Sequence, residues 1–152
     1  NEYKVQNGTA LTDAITTDCF LRDFDEEFAT VFSGVRHDSG DPFEWGDKII
    51  AHYKKLGIDP KTKTLLFSDS LNFEKADGLF KAYKDRTMVA FGIGTYLSND
   101  THVPALNIVM KPTYCNSWPV AKVSDVDGKE MCKDREYVDY LNRCIQWRME
   151  HE

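Results

Sequence analysis

No run of apolar residues approaches the ~20 needed to cross a bilayer, which excludes a membrane-spanning helix. CxxC pairs and closely spaced histidines are also missing, and the four cysteines, Cys19, Cys115, Cys132 and Cys144, stand far apart. That spacing excludes a zinc-finger type of metal site. With no secretory leader, the cysteines are expected to remain thiols in a reducing, cytoplasmic setting. Basic residues are in the minority, 19 Lys and Arg against 25 Asp and Glu, and a net charge of -6 argues against a nucleic-acid partner. Low-complexity tracts and internal repeats are absent beyond a general alternation of strand and helix patterns. The opening segment NEYKVQNGT begins at Asn1, is polar and carries no start signal, so the chain is expected to be a piece of a longer one. What is present, 41% hydrophobic and 29% charged residues over 152 positions, suits one globular domain.

Ala10 to Ile15 reads as a short strand, and Asp18 to Phe24 as a helical turn capped by Thr17 or Asp18. A second strand is expected over Thr30 to Val35. Asp41 then suits a helix cap and Pro42 a first turn, with Ile49, Ile50, Tyr53 and Leu56 at helical spacing until Gly57 stops the helix. Thr64 to Phe67 reads as a buried strand, and a helix over Asn72 to Lys84 is expected to bury Phe73, Ala76, Leu79, Phe80 and Tyr83. Met88 to Phe91 makes the next strand. Leu106 to Met110 and Pro119 to Val123 are strand-like around a turn-rich Pro112 to Trp118, which favours a hairpin or an irregular addition. A last helix begins at Asp134 or Arg135, with Tyr137, Tyr140, Leu141, Cys144, Ile145 and Trp147 apolar. Helix-length crossovers between strands predict parallel βα units in a barrel or an open sheet.

In parallel α/β sheets ligands sit at the carboxyl ends of the strands, so polar residues at those points are the site candidates. The stretch Gly34 to Pro42, GVRHDSGDP, places Arg36, Asp38 and Ser39 there, although a turn role suits Ser39 and Asp41 equally. Arg36 offers a planar fork for a carboxylate or a flat ring. His37, one step along the strand, is expected to face the opposite side and ranks below it. Asp38 and Asp69 are acceptors for vicinal hydroxyls such as those of a ribose. Gly92, Gly94 and Thr95, in the run GIGT, let main-chain N–H groups and a hydroxyl approach a phosphate. Asp13 and Asp18 supply oxygen ligands of the kind magnesium takes, with capping the better reading for Asp18. Lys111 could neutralise phosphate, but a solvated surface lysine is the simpler reading.

The runs ALTDAITTDCFLRDF (Ala10 to Phe24), SGVRHDSGDP (Ser33 to Pro42), LLFSDSLNFEKA (Leu65 to Ala76), FGIGTYLSND (Phe91 to Asp100) and LNIVMKPTYCNSWPVAKVSD (Leu106 to Asp125) resemble nicotinate phosphoribosyltransferase, in the same order and at similar spacing. The resemblance implies a type II phosphoribosyltransferase. Such an enzyme joins nicotinate to phosphoribosyl pyrophosphate to give nicotinate mononucleotide, with ATP hydrolysis coupled through a phosphohistidine and with magnesium. It implies an irregular α/β barrel, of which residues 1–152 would be the carboxyl-terminal part as a single domain with a terminal strand pair and helix. It also implies that Arg36 meets the nicotinate end, Asp38 the ribose or the magnesium-bound pyrophosphate, and Asp69 the ribose hydroxyls. Gly92, Gly94 and Thr95 would bind the 5′-phosphate, and Asp13 would lie near the phosphohistidine and metal. The catalytic assignments are Asp13 and Asp38; no metal ligand is assigned, with Asp13 or Asp38 the candidates for magnesium. None of His37, His52, His102 or His151 stands in the phosphohistidine context.

Two rivals remain open on the residues alone. One is a binding module that holds phosphate or a nucleotide without turnover. The other is a relative that uses nicotinamide or quinolinate. Half a barrel would also expose apolar edges, so self-association is expected.

Overall fold

A computed structural model describes residues 8–99, 101–106, 108–126 and 131–151. The polar opening segment up to Asn7, together with Asp100 and Asn107 of the quoted runs, lies outside the described residues. Four strands pair in sequence order: β1 (Thr9–Leu11), β2 (Gly34–His37), β3 (Thr64–Phe67) and β4 (Met88–Phe91). Every pairing is parallel. The crossovers are helical: α1 (Thr17–Asp23) and α2 (Glu26–Val31), then α3 (Pro42–Lys55) with a short 3₁₀ turn, then α4 (Phe73–Tyr83). A chain that always steps to the next strand in one direction with right-handed crossovers stacks its helices on one face of the sheet. The expected parallel βα units are therefore present, and they form a singly wound arc.

Register shows the consequence. Val35 and Leu65 are opposed and fully buried, and Phe67, opposite His37, is too; these join Trp45, Ile49, Ile50, Tyr53, Leu79 and Tyr83 in the core beneath the helices. Burial of each such large apolar side chain is worth about 1.5–3 kcal/mol. The alternate row, Leu11, Arg36, Leu66 and Ala90, lies across the other face, where Arg36 is exposed. His37 is buried between Trp45 and Phe67, with ring centroids 5.2 and 6.1 Å away, on the face opposite Arg36 as the strand alternation required.

The helix over residues 42–55 follows its sequence signals. Asp41 accepts hydrogen bonds from Phe43 N and Glu44 N at 2.9 Å each, Pro42 fills the first turn, and Gly57 turns away at φ 73°.

Other expectations are corrected. Thr16, not Thr17 or Asp18, caps α1, accepting from Cys19 N at 3.2 Å, while Asp18 pairs with Lys48 at 2.6 Å. Residues 30 and 31 end α2, capped by Asp25, so the second strand begins at Gly34 rather than Thr30. The apolar pair Val31–Phe32 belongs to a helix end, where a short apolar run cannot be told from a strand by periodicity. In α4, Phe73 and Phe80 are exposed, because the sheet ends at β4 and no described element covers that flank.

Leu106, Ile108, Val109 and Met110 join no strand and stand exposed, since no neighbouring strand offers them a ladder. The hairpin forms inside the stretch read as a turn: β5 (Tyr114–Cys115) pairs antiparallel with β6 (Trp118–Pro119), with Asn116 and Ser117 both at positive φ. Of Pro119 to Val123, only Pro119 is in that strand. The last helix, α5 (Arg135–His151), buries Val138 but leaves Tyr140 and Trp147 exposed.

Candidate functional site at the strand carboxyl ends

Because the strands are adjacent in sequence order, their carboxyl ends form one continuous rim. Asp13 follows β1, Asp38 and Ser39 follow β2, Ser68 and Asp69 follow β3, and Gly92 to Thr95 follow β4.

Asp13 is the most deeply buried of these groups, 1% exposed. Its Oδ2 accepts from Ser39 Oγ at 2.7 Å and from Ser124 Oγ at 3.3 Å, and pairs with Lys122 Nζ at 2.9 Å. Oδ1 has no hydrogen-bond partner among the described residues. Burial alone would raise the Asp13 pKa, but the hydrogen bonds from Ser39, Lys122 and Ser124 and the charge of Lys122 outweigh it and hold the carboxyl below its ordinary value. Lys122 in turn reaches Asp38 Oδ2 at 3.1 Å. Burial favours its neutral form, yet the two carboxylates raise its pKa above the ordinary value.

Lys122 arrives from a segment far along the chain that is clasped to the rim. Val123 N donates to Ala14 O at 3.1 Å, and Asp125 accepts from Thr17 N at 2.8 Å and Thr17 Oγ1 at 2.6 Å. Ser124, between them, takes a φ of 75°.

Arg36 stands on the open face of β2. Its Nη2 donates to Asp38 Oδ1 at 3.2 Å and its Nε to Ser68 Oγ at 2.8 Å, while Nη1 has no partner among the described residues. Asp38 thus lies between two cations, Arg36 and Lys122. Beside this cluster, Ser68, Ser70, Gly92, Gly94, Thr95 and Asn99 contribute to a cavity of about 490 Å³. A β-carbon placed on Gly94 would meet nothing within 4 Å, so its backbone faces open space.

The structure brings Asp13, Arg36, Asp38 and Ser39 into one network, and Gly92, Gly94 and Thr95 onto one cavity. Asp69 is half-buried, receives Ser70 Oγ at 3.2 Å and does not line that cavity. Lys111 sits on the irregular segment and joins neither group. Sequence reasoning missed Lys122, Ser68 and Ser124. Only Ser68 carried a signal, as the first polar residue after a buried strand.

A directly bound magnesium does not fit Asp13 and Asp38. The Lys122 ammonium already lies against both carboxylates, and no group of three or more His, Cys, Asp or Glu side chains among the described residues is arranged to hold a metal.

Parallel βα units with carboxylates, a fork-bearing arginine and a glycine-rich turn at the strand ends define an α/β protein with a polar rim at the carboxyl ends of its strands. Comparisons with known proteins narrow the class. The model of the nicotinate phosphoribosyltransferase (NAPRTase) family matches residues 1–147. Nicotinate phosphoribosyltransferase of Proteus mirabilis is 57% identical over 146 residues, covering 95% of this chain and 36% of that protein. The one from Herminiimonas arsenicoxydans is 54% identical over 142 residues, covering 93% and 36%. The crystal structure of nicotinate phosphoribosyltransferase from Vibrio cholerae superposes with a TM-score of 0.88 at 41% identity, covering 97% of this chain and 39% of that one. That from Porphyromonas gingivalis gives 0.82 at 42%, covering 90% and 37%. The chain belongs to the nicotinate phosphoribosyltransferase family. It spans just over a third of the length of the curated relatives it matches.

Proposed function

We propose that residues 1–152 are a single domain, the carboxyl-terminal part of the α/β-barrel region of a cytoplasmic nicotinate phosphoribosyltransferase acting in NAD biosynthesis. The observation that carries this is the continuous rim of Arg36, Asp38, Ser68 and the Gly92–Thr95 turn, within the residues that the family model matches. Arg36, whose Nη1 has no partner among the described residues, receives the carboxylate end of nicotinate. Asp38 and Asp69 accept from ribose hydroxyls, with Ser39 beside Asp38. Gly92, Gly94 and Thr95 hold the 5′-phosphate. In the reaction the pyridine nitrogen bonds to the ribose anomeric carbon as the bond to pyrophosphate breaks, and fixed charges stabilise the developing positive sugar. Asp13 and Asp38 are the acidic groups of that centre, with Lys122 holding both in place.

ATP and magnesium, which the resemblance implies, would serve the whole enzyme. The barrel reading is supported at the edge of β1. There an apolar hollow of about 280 Å³ is lined by Leu11, Ile15, Phe20, Phe24, Phe28 and Phe32, a surface suited to the next βα unit of a longer chain. Ile15 and Phe28 of this hollow are exposed and, with Leu106, Met110 and Trp118, would drive self-association of residues 1–152 alone.

The test is product formation. A full-length enzyme carrying these residues should make nicotinate mononucleotide from nicotinate, phosphoribosyl pyrophosphate and ATP, and residues 1–152 alone should not. Turnover with nicotinamide or quinolinate in preference to nicotinate would transfer the reading to a relative of different ring specificity. Phosphate binding without turnover by the full-length protein would favour a binding module.

A further inference from the structure

Ser68 occupies a position between the two halves of the rim that none of the substrate assignments uses. Its hydroxyl has one proton, and at 2.8 Å from His37 O that proton is committed to the backbone of β2. The lone pairs are therefore what Ser68 turns to Arg36 Nε, also at 2.8 Å. Arg36 has a long, flexible stem, and its guanidinium is gripped at two points: Nε by Ser68 and Nη2 by Asp38. Two bonds to a planar group fix its plane as well as its position, whereas one leaves it free to rotate. On its other side Ser68 borders the Gly92 turn, where an added β-carbon would lie 3.2 Å from Ser68 Cβ, and it lines the 490 Å³ cavity. The serine hydroxyl is the acceptor for Arg36 Nε at this junction.

We propose that Ser68 is a positioning residue that locks the plane of the Arg36 guanidinium, so that Nη1 is presented to the carboxylate of the pyridine substrate. This rests on the functional reading above. Ser68 acts through Arg36, so its loss weakens recognition of the ring carboxylate without touching the phosphoribosyl side.

In the full-length enzyme, Ser68→Ala should raise the KM for nicotinate about tenfold, the scale of one lost charge-assisted hydrogen bond, and leave the KM for phosphoribosyl pyrophosphate within about twofold. Ser68→Thr, which keeps the hydroxyl, should restore the nicotinate KM. In an Arg36→Lys background, where there is no fork to orient, Ser68→Ala should have no further effect. If Ser68→Ala does not fold, Ser68→Cys carries the test, since its sulfur is a weak acceptor of similar size. Equal shifts in both KM values, no shift, or the same shift in the Arg36→Lys background would overturn the proposal. A crystal structure of the Ser68→Ala protein decides it independently of turnover: displacement of the Arg36 guanidinium supports it, and an unmoved guanidinium overturns it. An inactive wild-type enzyme would sink the functional reading and leave that structural arm standing.

Discussion

Lys122 and Asp13 form a 2.9 Å ion pair in which the carboxylate is almost wholly buried and the lysine side chain is 15% exposed. The same ammonium reaches Asp38 at 3.1 Å, so one cation from the irregular carboxyl-terminal segment ties the ends of β1 and β2 together. Removing one partner of such a buried pair costs more than the pair contributes, because a charge is left behind without compensation.

Lys122→Met should therefore destabilise the protein by about 3 kcal/mol, seen as a lowered midpoint in denaturant unfolding. Asp13→Asn together with Lys122→Met should recover part of that loss. A single Lys122→Met variant as stable as wild type would show that the pair adds nothing.

The pH dependence has a defined sign. Asp13 titrates below its ordinary value of 3.8 in the folded state, so its contribution is full above that value and lost as pH falls through the depressed folded pKa. Lys122 titrates above its ordinary value of 10.5, so its contribution is full below that value and lost only as pH rises through the raised one. Unfolding free energy measured against pH should show the acid limb of the wild type reduced in Asp13→Asn. An identical acid limb in that variant would place the loss on other carboxylates.

Arg36 and Asp38 are joined at 3.2 Å, which makes their kinetic effects unequal in a particular way. Arg36→Ala should raise the nicotinate KM of the full-length enzyme by one to two powers of ten, from about 1.5–3 kcal/mol of lost charge-assisted hydrogen bonding, with little change for phosphoribosyl pyrophosphate. Asp38→Ala should impair phosphoribosyl pyrophosphate most and should also raise the nicotinate KM about as much as Ser68→Ala does, because the one bond left from Ser68 does not fix the plane of the Arg36 guanidinium. Steady-state kinetics in both substrates separates the two patterns. Equal effects from both variants on both substrates would make them one coupled unit.

Two glycines should respond oppositely to an added side chain. At Gly94 a β-carbon meets nothing within 4 Å, so Gly94→Val should leave the melting temperature close to wild type while abolishing phosphate-dependent product binding in calorimetry. At Gly34 a β-carbon would run into the Thr64 carbonyl on the neighbouring strand, so Gly34→Ala should part β2 from β3 and cost roughly 3 kcal/mol or more. Retained product affinity in Gly94→Val would reduce the GIGT run to a turn.

The sequence by itself determined the elements whose signals are local. The Asp41 cap, Pro42 and the spacing of Ile49, Ile50 and Tyr53 specify α3, because a cap and a 3.6-residue period need no distant partner. Thr64–Phe67 was legible as a buried strand and Met88–Phe91 as a strand for the same kind of reason, and strand alternation alone set His37 apart from Arg36. The motifs at the strand ends carried the family. Tertiary structure decided the rest. The run Leu106 to Met110 has strand composition but no neighbour to pair with, and Phe73 and Phe80 have helical spacing but lie where the sheet stops. Lys122 carried no local signal; it became the cation of Asp13 and Asp38 only because Val123 and Asp125 dock on Ala14 and Thr17. Ser68 holds Arg36 only because β2 and β3 are adjacent. Contacts of that kind depend on which strands become neighbours and on where a distant loop lands, and no local pattern in the sequence encodes either.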